Sequence, residues 1–286
     1  MSQKRKKIFV MIIPRFEDIF HSFYAGEIIK GASMAASRLN VDVLIHITDR
    51  KDHRHWLDSS LLDRQFVDGI IFADIENDVQ VVTKAIKQGM PTLILNNYFE
   101  QPFNCIAVDN FQAAYAAVSK LIDLGHKKIA TIAGDLSTQA GELRLEGYHQ
   151  ALKDAGIRSS KRYVACGGFL RSPARAAAQK LLKSKNRPSA IFAASDVMAL
   201  EVIDVAKKNG IKVPEDLSVI GFDDNPLNGS SPVPLSTVYQ PLVEMGRLGV
   251  EQMKQISTAK ARLPVKMMLS AQLCMRRSAA SGPDSK

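Results

Sequence analysis

The sequence has little with which to staple, ligate or span. Its three cysteines, Cys105, Cys166 and Cys274, lie far apart and have no metal-ligand spacing. So sparse and odd a count excludes a disulfide framework and fits buried thiols in a reducing compartment. No apolar run approaches the roughly 18–20 residues that cross a bilayer. The basic start at Lys4 to Lys7 leads into a short apolar run over 8–13 that stops at Pro14 and Arg15. That run is too short for a secretion signal, and no small-residue cleavage site follows, so a cytoplasmic protein without membrane contact is expected. Gly-x-Gly-x-x-Gly, the phosphate-loop lysine motif and Gly-x-Ser-x-Gly are all missing, so nothing implies a cofactor or a nucleophile elbow. His53 and His55 stand two apart on an expected helix, where their imidazoles diverge, so no metal is expected.

What is present suits a two-domain globular protein. At 286 residues the chain exceeds the usual single core, and 46% of it is hydrophobic, enough to bury a sizeable interior. The net charge of +9 is unevenly placed: Lys4 to Lys7 carry +4 and residues 276–286 carry +2, leaving +3 for the body. Charge alone therefore argues no partner.

The chain also repeats itself at an offset of 121 residues. Lys6-Lys7-Ile8 returns as Lys127-Lys128-Ile129, Ile70-Ile71-Phe72-Ala73 as Ile191-Phe192-Ala193-Ala194, and Gly89 as Gly210. Two similar halves follow, with a ligand site expected in the crevice between them. Short apolar runs over 8–13, 43–47, 69–73, 92–95, 129–133, 190–193 and 217–221 read as strands buried on both faces. Helices are expected between them over 21–38, 53–64, 79–88, 111–124, 141–155, 174–182 and 197–208. Gly89, Gly125, Gly156 and Gly210 supply left-handed caps. Such alternation requires parallel sheets covered on both sides. Toward the end, 232–238 reads as an extended crossing, 241–256 as a helix opened by proline, and 266–273 as a last strand. Residues 276–286, rich in Ser, Ala, Gly and Pro, read as a disordered tail.

Eight motifs in order carry a resemblance. They are Phe66-Val-Asp-Gly-Ile-Ile71, Gly89-Met-Pro-Thr92, Val108-Asp-Asn110, Leu124-Gly-His-Lys-Lys-Ile129, Arg144-Leu-Glu-Gly-Tyr148, Ile191-Phe-Ala-Ala-Ser-Asp-Val-Met-Ala199, Val213-Pro-Glu-Asp-Leu-Ser-Val-Ile-Gly-Phe-Asp-Asp224 and Leu235-Ser-Thr-Val-Tyr-Gln-Pro241. Together they make 7–276 resemble the effector-binding core of the LacI/GalR family of bacterial transcription regulators. The resemblance implies the α/β fold of type I periplasmic binding proteins: two doubly wound parallel-sheet subdomains joined by three crossings, near 107–109, 239–241 and 263–265. The expected partition is a linker stub at 1–7, an N-terminal subdomain of 8–107 plus 241–262, a C-terminal subdomain of 108–240 plus 263–275, and the tail. Family members normally begin with a helix-turn-helix that reads operator DNA, whereas this sequence starts at the core. It is either an excised core or a natural member without its DNA-reading part.

The resemblance also assigns site residues. Arg144 would bond two ligand oxygens with its planar fork; the alternative is a surface arginine paired with Glu142 or Glu146. Asp223, at a strand's carboxyl end, would accept from hydroxyls, with its neighbour Asp224 as the alternative. Phe169 would stack on the ligand or simply pack. Asn96 and Ser195 stand where relatives often carry Asp and Asn, so effector identity does not carry over. Gln240 would complete the wall. In the loop 14–24, lengthened relative to the family, Asp18, Phe20 and Phe23 would line the ligand's apolar side, ordinary helix–sheet packing being the alternative for Phe20 and Phe23. His126, in the Leu-Gly-His-Lys-Lys turn, is expected to be structural. The function implied is a sensor of a small sugar-like effector acting through a homodimer, with apolar outer positions Val79, Val81, Val82 and Ile86 available for pairing. A solute-binding receptor for sugar uptake is the alternative. An enzyme would need a nucleophile, base and orienting group together, and no such set occurs.

Overall fold

The computed structural model describes residues 5–14, 22–48, 63–73, 75, 79–226, 231–258 and 263–283. Residues 53–62 of the helix expected over 53–64, with His53 and His55, lie outside these residues, as do Asp18 and Phe20, and 63–64 are not helical. The chain divides into two units, Met1–Val108 with Pro241–Leu269 and Asp109–Gln240 with Ser270–Lys286.

Unit 1 holds β1 (Ile8–Pro14), α1 (Phe23–Leu39), β2 (Asp42–Thr48), β3 (Gly69–Ala73), α2 (Gln80–Lys87), β4 (Thr92–Leu95), β5 (Cys105–Val108), α7 (Leu242–Ile256) and β11 (Lys266–Leu269). Its sheet runs β11-β5-β4-β3-β1-β2, parallel throughout. Unit 2 holds α3 (Asn110–Asp123), β6 (Ile129–Ala133), α4 (Gln139–Asp154), β7 (Val164–Cys166), α5 (Arg171–Leu182), β8 (Ala190–Ala193), α6 (Asp196–Lys208), β9 (Ser218–Asp223), β10 (Ser236–Tyr239) and β12 (Gln272–Cys274). Its sheet runs β12-β10-β9-β8-β6-β7, parallel except where β12 meets β10. The two orders are the same, strand for strand. The repeat seen in sequence is therefore architectural: β1 answers to β6, β3 to β8, and Gly89 and Gly210 both take the left-handed conformation, at φ of 74° and 68°. Only glycine does this without strain.

Helix packing explains two glycines that no cap requires. A Cβ on Gly31 of α1 would lie 1.9 Å from the Val243 carbonyl oxygen, and one on Gly246 of α7 would lie 2.1 Å from that of Ile28. The two helices cross at a contact that admits hydrogen alone. Ser22 opens α1 by accepting from the Ala25 N–H, and Asn40 closes it at φ 52°.

Several expectations need correction. β2 is not buried on both faces: Leu44, Ile45 and Ile47 are exposed, because the strand lies at the edge of its sheet and pairs with β1 alone. Cys166 is exposed rather than buried, since β7 is likewise an edge strand. The single strand expected over 266–273 is two: β11 pairs with β5 in unit 1, and β12 turns back against β10 in unit 2. Residues 263–269 therefore belong to unit 1, and the last change of unit falls between Leu269 and Ser270.

The tail also needs correction, since it is ordered as far as it is described. Ser278 is fully buried; its Oγ donates to the Val219 carbonyl at 2.6 Å and accepts from the Ser236 N–H at 2.7 Å. Arg276 pairs with Asp224 at 2.8 Å, and the Gly282 N–H donates to Leu124 O. His126, buried, sits within hydrogen-bonding distance of Ser189, Ser218 and the Ala280 carbonyl, so its role is the structural one. Composition suggested disorder because small and polar residues bury little surface. Here their smallness is what lets the segment lie in a polar seam. Val82 is likewise buried, not outward-facing, while Ile86 is exposed.

Candidate functional site

The carboxyl ends of β6, β8, β9 and β10 bring polar side chains together in unit 2, where open parallel sheets place ligands. Arg144 anchors the group from α4, a helix started by Thr138, whose hydroxyl accepts from the Gly141 N–H. It is 3% exposed, which excludes the surface pairing with Glu142 or Glu146. Its Nε donates to Asn110 Oδ1 at 2.8 Å and its Nη1 to the Ala194 carbonyl at 2.6 Å. The guanidinium lies over the Phe222 ring at 3.6 Å and 5.6 Å from the Phe169 centroid. Two hydrogen bonds and two aromatic faces fix its plane before any ligand arrives.

Asp223 closes β9 with its carboxylate 3.9 Å from Arg144 Nη1, beyond hydrogen-bonding distance. Its Oδ1 accepts from Gln240 Nε2 at 2.7 Å. Burial raises its pKa to about 7, against the lowering effect of Arg144 and with a further push from the nearby Asp196. The backbone is unusual here: Asp223 and Asp224 both have positive φ, 126° and 56°. For residues with side chains this conformation is held only by its surroundings, and it recurs at binding sites. Between the two carboxylates the structure makes a clear division. Asp224 is taken up by Arg276, while Asp223 faces Arg144 and Gln240.

Gln240 is buried, and its Oε1 has no hydrogen-bond partner among the described residues. An acceptor so placed costs free energy unless something donates to it. Phe169, at φ 64°, follows β7 and lays its ring over Gly134: a Cβ there would come within 2.0 Å of the ring. Ser195 does not join the group through its hydroxyl, which accepts from the Met198 N–H as the N-cap of α6. Asn96 and Phe23 belong to unit 1. Asn96 follows β4 at φ 67° with its Oδ1 buried and unpartnered among the described residues. Phe23 is half-buried at the start of α1.

Sequence reasoning missed the residues behind these. Asn110 holds Arg144. Asp196, fully buried, accepts from the Thr237 hydroxyl at 2.5 Å and the Asn225 N–H at 2.8 Å, bracing the loop that carries Asp223. Gly221 is needed for this, since a Cβ would lie 2.2 Å from Asp196 Oδ1. All three sit inside the quoted motifs, which marked the segments but not the supporting roles. No group of three or more potential metal ligands occurs among the described residues.

The arrangement can hold a small polyhydroxylated molecule through a planar cation, a carboxylate and an amide beside an aromatic face. Among the described residues gathered here, no nucleophile stands beside a base. Residues 118–279 match the family described as periplasmic binding protein-like domain. The HTH-type transcriptional regulator DegA of Bacillus subtilis (strain 168) is 33% identical over 282 residues, covering 97% of this chain and 82% of DegA. The chain belongs to the LacI family of transcriptional regulators. It is similar also to the HTH-type transcriptional repressor CytR of Escherichia coli (strain K12), at 34% identity over 86% of this chain and 72% of CytR. Among solved structures, a transcriptional regulator CelR–cellobiose complex superposes with a TM-score of 0.89 at 27% identity, covering 98% of this chain and 86% of that one. The lac repressor dimer bound to operator and anti-inducer gives 0.87 at 24% identity, over 98% of this chain and 96% of that one, a likeness of fold. The chain is thus the effector-binding core of a LacI-type regulator and not an enzyme. No helix among the described residues is long and apolar enough to cross a membrane.

Proposed function

We propose that this LacI-type core senses a small sugar or sugar derivative through Arg144, Asp223, Gln240 and Phe169 of unit 2, and thereby controls the DNA affinity of a cytoplasmic homodimer. The observation that carries the reading is the pair of Arg144 and Asp223, preorganised yet 3.9 Å apart, beside the unsatisfied Gln240 Oε1. A ligand hydroxyl can donate to that oxygen, and neighbouring hydroxyls can bridge the ion pair. The cellobiose bound by the CelR neighbour favours a sugar over an amino acid or a metal ion. Ser195 contributes through the cap it makes rather than by direct contact. Exposed Leu44, Ile45 and Ile47 on β2, with Ile86 on α2, supply apolar surface for a second copy.

The effector acts by binding one arrangement of the protein better than another, a coupling of about 1–3 kcal/mol. A thermal-shift panel of neutral sugars and nucleosides tests the proposal, followed by calorimetry on any compound that stabilises. Binding of a sugar, weakened at least tenfold in Asp223→Asn, supports it. Binding indifferent to Asp223, or a response to none of the panel, overturns it.

A further inference from the structure

From Ala155 to Ser195 the sequence holds nine lysines and arginines and no acidic residue. Two of the nine, Arg171 and Arg175, are neutralised across the α5–α6 contact by Glu201 and Asp204. The other seven, Arg158, Lys161, Arg162, Lys180, Lys183, Lys185 and Arg187, make no ion pair among the described residues. Charge so segregated destabilises the fold by self-repulsion, which an anionic partner would relieve.

Three of the seven ring a hollow of about 740 Å³ between β7 and α5 in unit 2. Lys161, Arg162 and Lys180 form its rim, and Val164, Ala177 and Leu181 contribute to its floor. β7 is the terminal strand of its sheet. The Gly167 N–H donates to Ala133 O, and Cys166 is the register partner of Ala133. Parallel ladders alternate, so Cys166 turns its own N–H and carbonyl toward the open edge. The hollow thus offers the main-chain groups of Cys166, an apolar floor and a cationic rim.

We propose that this groove docks an extended acidic segment of another protein, lying along β7 with an aliphatic side chain on the floor and carboxylates against Lys161, Arg162 and Lys180. Edge strands receive peptides in this way, main-chain bonds giving affinity and alternate side chains giving specificity. The apolar floor argues for a peptide over a nucleic acid, whose phosphates would use the rim and leave the floor empty. The site stands apart from the effector residues and does not depend on them.

The test titrates the intact chain with a fluorescent decapeptide alternating glutamate with leucine and valine, at about 50 mM salt and again at about 300 mM. Saturable binding that weakens with salt is expected. It should fall at least tenfold in the triple variant Lys161→Glu, Arg162→Glu, Lys180→Glu. It should fall as far in Ala176→Trp, which fills the groove from the exposed face of α5 without touching the charge. Both substitutions are at exposed positions, and circular dichroism confirms the fold. Three results would each overturn the proposal: no saturable binding, equal binding of polyglutamate with Ala176→Trp unaffected, or displacement of the peptide by duplex DNA of matched charge.

Discussion

At the scale of single residues, the site is a set of groups whose needs are met by one another only in part. Arg144 spends two donors on Asn110 and Ala194, so it supports unit 2 as well as any ligand. Arg144→Ala should therefore lower the stability of the ligand-free chain by about 2–4 kcal/mol, since it removes a hydrogen bond from the Asn110 side chain and another from the Ala194 carbonyl. Denaturant unfolding measures this; an unchanged midpoint would show that the arginine serves the ligand alone. Asp223 makes the opposite case. Its pKa is raised to about 7 in the folded chain from about 3.9 unfolded. The folded state therefore binds the proton more tightly, and stability falls as pH rises from about 4 to about 7 and levels off above. Asp223→Asn should remove that slope, which is bounded at about 4 kcal/mol, and make the ligand-free protein more stable at pH 8. If wild type and variant keep parallel stability profiles between pH 4 and 8, the carboxylate is not strained.

At the scale of elements, close approach of backbones decides what is tolerated. Gly31 and Gly246 let α1 and α7 touch main chain to main chain. Gly246→Ala should cost about 1–3 kcal/mol, as over-packing does, although alanine is the better helix former. A gain in melting temperature would show that the helices can part at no cost. The same scale shows what the sequence made legible. β1, β3, β4, β6, β8 and β9 are almost wholly buried, and a continuous apolar run declares such strands. β7 is three residues long and half-exposed, so Val164-Ala-Cys166 leaves no periodic trace. β11 and β12 differ by which sheet they join, a choice made by pairing with β5 and β10 and not by their own residues. Arg144 and Asp223 stand out as candidates in the sequence because motifs frame them, and Phe169 only through the family resemblance. Asn110, Asp196 and Gly221 do not, because their part is to hold others, and only contacts reveal that.

At the scale of the whole molecule, the repeated strand order and the family identify one regulator core built from two like units, ordered further toward its end than composition suggests. Ser278 and Ala280 tie the last segment to β9 and β10, so ending the chain at Met275 should unfold it at lower denaturant. Loss of no stability would reduce the segment to decoration. The central claim is that Arg144, Asp223 and Gln240 together hold a polyhydroxylated effector. Its most direct test is a thermal-shift panel of sugars and nucleosides run side by side on wild type and Asp223→Asn at pH 8, where the wild-type carboxylate is ionised. At ligand far above Kd, at least one sugar should raise the wild-type melting temperature by about 4 °C or more, with most of that shift lost in the variant. Equal shifts in the two proteins, or a panel in which only non-hydroxylated compounds stabilise, would contradict the account.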